Sequence, residues 1–487
     1  SYASLGWTKR VFGLDLIWFR LGNLLLHAAV VIALFHLNRQ LISLLRIGEE
    51  EESEIKKRDL AAFVVALVFA VHPAGVYGVG YLIERSIVMA TLFVLLMLMT
   101  FIKGIETKKT GWLLLSATFY FLAVFSKEHS VPAPGLAVLI ALLARESSWT
   151  YWRRFVLPFL LYGAIAIFML IRAKGLLGSP YEPFAQQMLE EMASSEYGAV
   201  RQPHWQSFLT QTTLFFKYLM LWLFPNPLWM SVDMREPFAI QPIATQFWFG
   251  FLSYCVYPCV GVWLILKKRT LGLVGFGLLF PWVMFVTELS TVRIQEPFVL
   301  YRSYLWMPGI FIAASAGIYQ MSRKMELSLL PIILIALFAA SYERLTTFSH
   351  PILLWDDALR LLDGNDTRMG AEPLYHNRGL EYLRAQKYDE ARVDFDKAIS
   401  LKPSFAAAYS NRGASYLYEN RHREALADFD KAIQLDPVYG RAYFGRGFVY
   451  EALRQPKIAL ENFTLSCVIS HRGCEQVAKY RKSLESN

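Results

Sequence analysis

The uneven spread of apolar residues constrains this chain more than any other feature. Residues 15–345 run as one apolar block after another, whereas 365–487 are charged and ordinary. A helix that crosses a bilayer needs ~20 mostly apolar residues. With no water to satisfy backbone groups there, only helices and closed barrels can span. The blocks fall at 17–38, 60–82, 86–103, 111–126, 130–144, 154–173, 207–224, 247–266, 271–288, 304–321 and 327–343. This predicts an all-α chain: a polytopic membrane helix bundle over 1–345, a linker over 346–371, then a soluble helical domain. Pro132 and Pro134 interrupt the block at 130–144, which a cavity or neighbouring helices must compensate.

Charge orients the bundle. Lys and Arg cluster at 46–58, 103–109, 145–154, 267–269 and 323–324, the loops expected to face the cytoplasm. The opposite loops carry single cations: Arg85, Lys127, Arg235, Arg293 and Arg302. The net charge is +9, but its spread over short loops does not form the basic face that nucleic-acid binding requires. The segment 207–224 spoils the alternation. It is expected to be re-entrant, or 225–246 to hide a second crossing, and Lys217 argues against a plain lipid-facing helix. The segment 174–206 reads as an amphipathic helix lying on the outer surface.

The C-terminal part repeats at an offset of 34 residues. "LYHNRGLEYLRAQKYDEARVDFDKAISLKP" recurs as "AYSNRGASYLYENRHREALADFDKAIQLDP" and, more loosely, as "AYFGRGFVYEALRQPKIALENFTL". Gly379, Gly413 and Gly447 align, as do Phe395, Phe429 and Phe463. This spacing fits the tetratricopeptide repeat, a helix–turn–helix unit. Three units cover 372–473, and 474–487 supply a capping helix. Such arrays present a groove for a protein partner, and Asn377, Asn411, Arg412 and Arg446 are the candidate partner-binding residues.

Four cysteines are present. Cys255 and Cys259 are expected as buried small residues of an apolar helix. Cys467 and Cys474 flank a turn and are candidates for a disulfide, which implies an oxidising compartment. No spacing suggests zinc, no visible motif calls for a metal, and no cofactor is indicated. Asn462, in an Asn-X-Thr sequon, falls inside a repeat helix and is a poor glycan acceptor. That favours a bacterial inner membrane with the repeats in the periplasm over an endoplasmic reticulum membrane with lumenal repeats. Asn365 heads a second sequon.

Charges beside the apolar blocks mark a polar site. "AVFSKEHSVPAPG" sets Lys127, Glu128 and His129 between two apolar stretches. "VHPAGVYGVGYLIERS" ends in Glu84 and Arg85. "STVRIQEPFVLYRSYLWMP" holds Arg293, Glu296 and Arg302, with Tyr301 and Tyr304 as interface anchors. Cations at the headgroup level suit a lipid phosphate, which Arg grips with paired hydrogen bonds and Lys meets as a point charge. Glu84 and Glu128 would orient them. The plainer account is interfacial charges paired with one another. His27 and His72 read as satisfied packing residues, and Asp233 as a loop turn or a site acid.

Taken together, "FRLGNLLLH", "HPAGVYGVGYLIERS", "FSKEHSVPAPG", "YLMLWLFPNPLWMSVD", "LYRSYLWMP" and the repeats resemble bacterial relatives of the transmembrane and tetratricopeptide-repeat O-mannosyltransferases. The resemblance covers nearly the whole chain. It implies a type C glycosyltransferase fold and protein glycosylation: a sugar moved from a polyprenyl-phosphate donor to an acceptor, often a Ser or Thr hydroxyl, at the outer face. It makes Arg85, Lys127 and Arg302 donor-site candidates, with Arg293 and His129 beside them, and Glu128 and Glu84 supporting carboxylates. The family's catalytic carboxylate lies in the first outer loop. That loop and the first helix are expected upstream of Ser1, so the sequence reads as N-terminally incomplete, and Asp15 does not match the catalytic position. The alternative is a non-catalytic, membrane-anchored scaffold that binds partners through its repeats. A transporter is disfavoured because no inverted halves are visible.

Overall fold

The computed structural model describes residues 2–485 apart from 13–14, 46–50, 82–83, 145–148, 173–202, 240–244, 268, 295–296, 322 and 363–369. The proposed surface helix, Glu296 and Asn365 lie outside the described residues. Helices dominate the rest, joined by loops that hold short 3-10 turns and one isolated bridge, Met234 to Phe298. Two compact units divide the chain, Ser1–Thr346 and Thr347–Asn487.

In the first unit, six described helices are long and apolar enough to cross a membrane, and a bent pair makes a seventh. Local chemistry sets their ends. Asp15 accepts a hydrogen bond from the Ile17 amide at 3.0 Å and caps helix Leu16–Leu44. The bent pair, Glu52–Ala70 and Pro73–Gly80, turns by 61° at the His72-Pro73 step. Pro73 cannot continue the incoming helix but suits the first turn of the next one. His72 caps that turn by accepting from the Ala74 amide.

Helix Thr110–Ser126 stops at Lys127, which is extended. One 3-10 turn, Glu128–Ser130, then leads into helix Pro134–Ala144. The block 130–144 is thus interrupted at its prolines: Pro132 lies in the turn, and Pro134 starts a helix of 11 residues. Helix Pro203–Leu223 is continuous and buries one face, with Lys217 paired to Glu236. The described part of the segment after it, 224–239, has only the 3-10 turn Pro227–Trp229, so it contains no second helical crossing.

Helices Arg269–Met284 and Pro308–Gln320 pack backbone to backbone. A Cβ on Gly277 would lie 2.5 Å from Gly309 O, and one on Gly309 would lie 2.6 Å from Gly277 O, so only glycine fits at either place.

This unit is inverted relative to a water-soluble core. Phe249, Ile335 and Leu160 are 76%, 70% and 65% exposed, while Glu288 and Arg293 are 0% and 1% exposed. Cys255 and Cys259, expected to be buried, are exposed, because helix Thr245–Lys267 turns this apolar face outward. Tyr304, expected as an interface anchor, is fully buried, and its hydroxyl meets His27 Nδ1 at 2.5 Å.

The second unit stacks three helix pairs: Glu372–Arg384 with Tyr388–Leu401, Ala406–Tyr418 with His422–Leu435, and Gly440–Ala452 with Pro456–Ser470. The aligned glycines admit the aligned phenylalanines. A Cβ on Gly379 would meet the Phe395 ring at 2.8 Å, and one on Gly447 the Phe463 ring at 2.7 Å. Helix Cys474–Glu485 closes the array, and Cys467 and Cys474 are joined in a disulfide. The stretch expected as a linker is not wholly irregular. It carries helix Pro351–Arg360, which packs on the first repeat.

Candidate functional site

Most of the charges flagged in the sequence fall into two adjoining groups. The first is centred on Glu288, at the end of the apolar block 271–288. Glu288 Oε1 lies 3.0 Å from His129 Nε2. Its Oε2 lies 3.4 Å from Arg293 Nε and 3.6 Å from Arg302 Nη1. Arg293 Nη2 also stands 3.4 Å from His129 Nε2. Four ionisable side chains from two stretches far apart in sequence, 129 and 288–302, thus meet inside an apolar bundle. Buried charges of this kind persist only when paired.

The loop that carries Arg293 is fixed to helix Pro203–Leu223. Ser207 Oγ accepts from the Arg293 amide at 2.9 Å, Gln211 Nε2 donates to Pro297 O at 2.7 Å, and Tyr218 OH accepts from the Val299 amide at 2.9 Å. The 3-10 helix Leu300–Leu305 then carries Arg302. Its Ser303 Oγ accepts from Trp222 Nε1 at 2.8 Å.

The second group forms the accessible edge of the first. His129 Nδ1 lies 3.3 Å from Glu128 Oε1, and Lys127 Nζ lies 3.7 Å from Glu84 Oε2. The Glu128 side chain is 46% exposed, that of Lys127 18%. Across both groups three cations, Lys127, Arg293 and Arg302, face three carboxylates, Glu84, Glu128 and Glu288. The pairing follows the plainer account, interfacial charges paired with one another. Arg293 and Arg302 are buried against Glu288, whereas Glu128 is the most exposed member of the cluster.

Arg85 is engaged elsewhere. Its guanidinium donates to Asn23 Oδ1 at 2.8 Å, Thr8 Oγ1 at 3.0 Å and Phe19 O at 2.9 Å. Gly22 leaves room for it, since a Cβ there would lie 2.8 Å from Nη2. Arg85 thus ties the two N-terminal helices to helix Arg85–Thr107. His72 is also a packing residue, stacked on Trp222 with ring centroids 4.7 Å apart and bonded to Trp222 O. Asp233 pairs with Arg235.

In the repeats, Arg412 donates to both carboxylate oxygens of Asp428, at 2.8 and 2.7 Å, and also to Asp396 of the preceding repeat. Arg446 donates to Asn462 at 2.7 Å and to Asp430. Arg378 does the same with Asp394 and Asp356. The arginines therefore staple neighbouring helices together. The two asparagines flank His376: Asn411 Nδ2 donates to its Nε2 at 2.8 Å, and Asn377 Oδ1 lies 3.3 Å from its Nδ1. Burial holds His376 below its ordinary pKa. Asn462 is 2% exposed and bonded through both amide atoms, consistent with a poor glycan acceptor. Among the described residues no group of three His, Cys, Asp or Glu could hold a metal ion.

Glu288 escaped the sequence reading. The available signal was a lone acid closing an apolar block five residues before Arg293.

Residues 406–439 match the family model described as tetratricopeptide repeat, and 379–418 match one described as TPR repeat. The C-terminal unit thus carries tetratricopeptide repeats. No curated protein matches the chain. Similar solved structures include the first TPR of Spaghetti (RPAP3) bound to an HSP90 peptide, at 22% identity and TM-score 0.22, over 23% of this chain and 93% of that one. The Arabidopsis OM64 TPR domain is 24% identical with TM-score 0.22, over 24% and 94% of the two chains. YrrB, described as a TPR protein with an unusual peptide-binding site, is 16% identical with TM-score 0.22, over 33% and 88%.

Proposed function

We propose that the chain is an integral-membrane glycosyltransferase. It moves a sugar from a polyprenyl-phosphate donor to a protein Ser or Thr hydroxyl at the periplasmic or lumenal face, and its repeats select the acceptor. One observation carries this reading: an ionic cluster buried in a bundle whose outer surface is apolar. Intramembrane charges are costly and mark function by default. The inverted surface also suits lipid as the surrounding solvent.

In this reading Lys127 meets the donor phosphate, held in place by Glu84. The field of Arg293 and Arg302 stabilises the charge that builds on the leaving phosphate oxygen as the sugar–oxygen bond breaks. Glu128 stands beside it at the accessible edge. The family's catalytic carboxylate is not assigned to any residue of this sequence.

The test uses membranes carrying the native protein, polyprenyl-phosphate mannose with a radiolabelled sugar, and Ser/Thr-rich acceptor peptides. Label should pass to the peptides, and Lys127→Ala should cut transfer at least tenfold. No transfer by the native protein rejects this reading.

A second reading is favoured by the family matches, which fall in the repeats alone. It is a membrane-anchored scaffold that recruits partner proteins. Capture of a partner through the repeats, with no sugar transfer, would select it.

A further inference from the structure

Glu288 is poorly explained as a simple strut. Its Oε1 stands at hydrogen-bond distance from His129, but its Oε2 is 3.4 and 3.6 Å from the two arginines. Those two distances exceed the usual hydrogen-bond range. At such range Glu288 balances charge more than it fixes geometry. Fully buried, it also acts in a medium of low dielectric, where one unit charge has long reach.

The reaction proposed above changes the ligand's charge. The donor phosphodiester carries one negative charge. When the sugar leaves, the electron pair of the broken bond stays on the phosphate oxygen. The acceptor oxygen forms the new bond to the sugar, and its proton passes to solvent. The remaining phosphate monoester carries close to two negative charges at neutral pH. A site with one more positive charge would hold that product more tightly than the donor.

We propose that Glu288 is a built-in counter-anion that weakens the grip of Arg293, Arg302 and Lys127 on the lipid monophosphate, and so sets product release. This rests on the donor reading given above. It makes Glu288 a specificity-determining residue that need not touch the ligand. It also predicts a sign that a strut does not. Neutralising Glu288 should tighten binding of the product, whereas loss of a strut should loosen it.

The experiment measures binding of undecaprenyl phosphate to the full chain in detergent micelles, with inorganic phosphate and phosphatidylglycerol as parallel ligands. Glu288→Gln is expected to bind undecaprenyl phosphate roughly tenfold tighter than the native protein, the order set by one charge in a partly screened site. Glu128→Gln removes a half-exposed charge at the same edge. It is expected to shift affinity the same way by a smaller factor, and it keeps the test alive if Glu288→Gln does not fold. Unchanged or weaker binding in both variants overturns the counter-anion role. A gain confined to inorganic phosphate overturns its assignment to a lipid. Absence of binding by the native protein rejects the donor reading and this inference together, an outcome distinct from binding that the variants fail to tighten.

Discussion

Arg378 donates to Asp356 at 2.8 Å, in the place that Asp396 fills for Arg412 and Asp430 fills for Arg446. Helix Pro351–Arg360 thus serves the first repeat as each second repeat helix serves the next. At the other end, Asn462 and Thr464 stand where Asp428 and Asp430 stood: Asn462 still accepts from Arg446, and among the described residues no arginine donates to Thr464. The ladder starts before the first repeat and stops at the third, as a capped array requires.

The two acceptors of Arg378 should differ in weight. Asp394 is 2% exposed, and its loss leaves a half-buried guanidinium without its bidentate partner. Asp394→Ala is expected to destabilise the repeats by about 2–4 kcal/mol. Asp356 is 41% exposed. Asp356→Ala is expected to take away no more than about 1 kcal/mol. Denaturant unfolding followed by hydrogen exchange in 372–401 gives both values. Equal losses would mean that the outer acceptor is not a mere cap contact.

His376 gives the repeats a pH dependence. Its Nε2 accepts from Asn411, so Nδ1 carries the proton, and burial lowers its pKa from 6.5. Below pH 6.5 the unfolded chain therefore binds a proton that the folded chain refuses. Stability from this group is complete above 6.5 and falls as pH drops towards the folded pKa, by at most ~1.4 kcal/mol per pH unit. Unfolding midpoints of residues 372–418 at pH 7.5 and 5.0 check this. His376→Gln should flatten the difference, and a wild-type midpoint that rises in acid contradicts it.

Periodicity made the bundle and the repeats legible, because both depend on patterns that lie along the chain. Glu288 was not legible, since its partner His129 is remote in sequence and a single acid at the end of an apolar block resembles a boundary. The partners of Arg85 were not legible for a similar reason: Thr8, Phe19 and Asn23 lie on two earlier helices, and only Glu84 stands beside it in sequence. Arg412 and Arg446 were a different case. Their acceptors recur 16 residues away on either side, at Asp396, Asp428, Asp430 and Asn462, so comparing the repeats for charge as well as glycine would have marked them as staples.

Arg85 supports a further prediction. Gly22→Ala would set a methyl 2.8 Å from its guanidinium, which is already held by three acceptors. The side chain cannot yield without giving up a buried hydrogen bond, so a loss of about 1–3 kcal/mol is expected. Thermal unfolding of the purified protein in detergent measures it. Arg85→Lys should cost at least as much, because an ammonium lacks the planar fork that reaches all three acceptors. An unchanged midpoint in both variants would show that this junction does not hold the N-terminal helices.

The Cys467–Cys474 bridge should act on one end of the array only. It joins the last repeat helix to helix Cys474–Glu485, whose Val477 and Tyr480 pack with Ala459 and Phe463. Closing so short a loop contributes about 2.5 kcal/mol in the chain-entropy account. Repeat arrays couple mainly between neighbours, so the effect should fade along the chain. With Cys467→Ser, hydrogen-exchange protection is expected to drop in 456–485, to change little in 406–435 and not to change in 372–401. A uniform drop would show that the three repeats unfold as one block, and that the terminal helix supports the first repeat as much as the last.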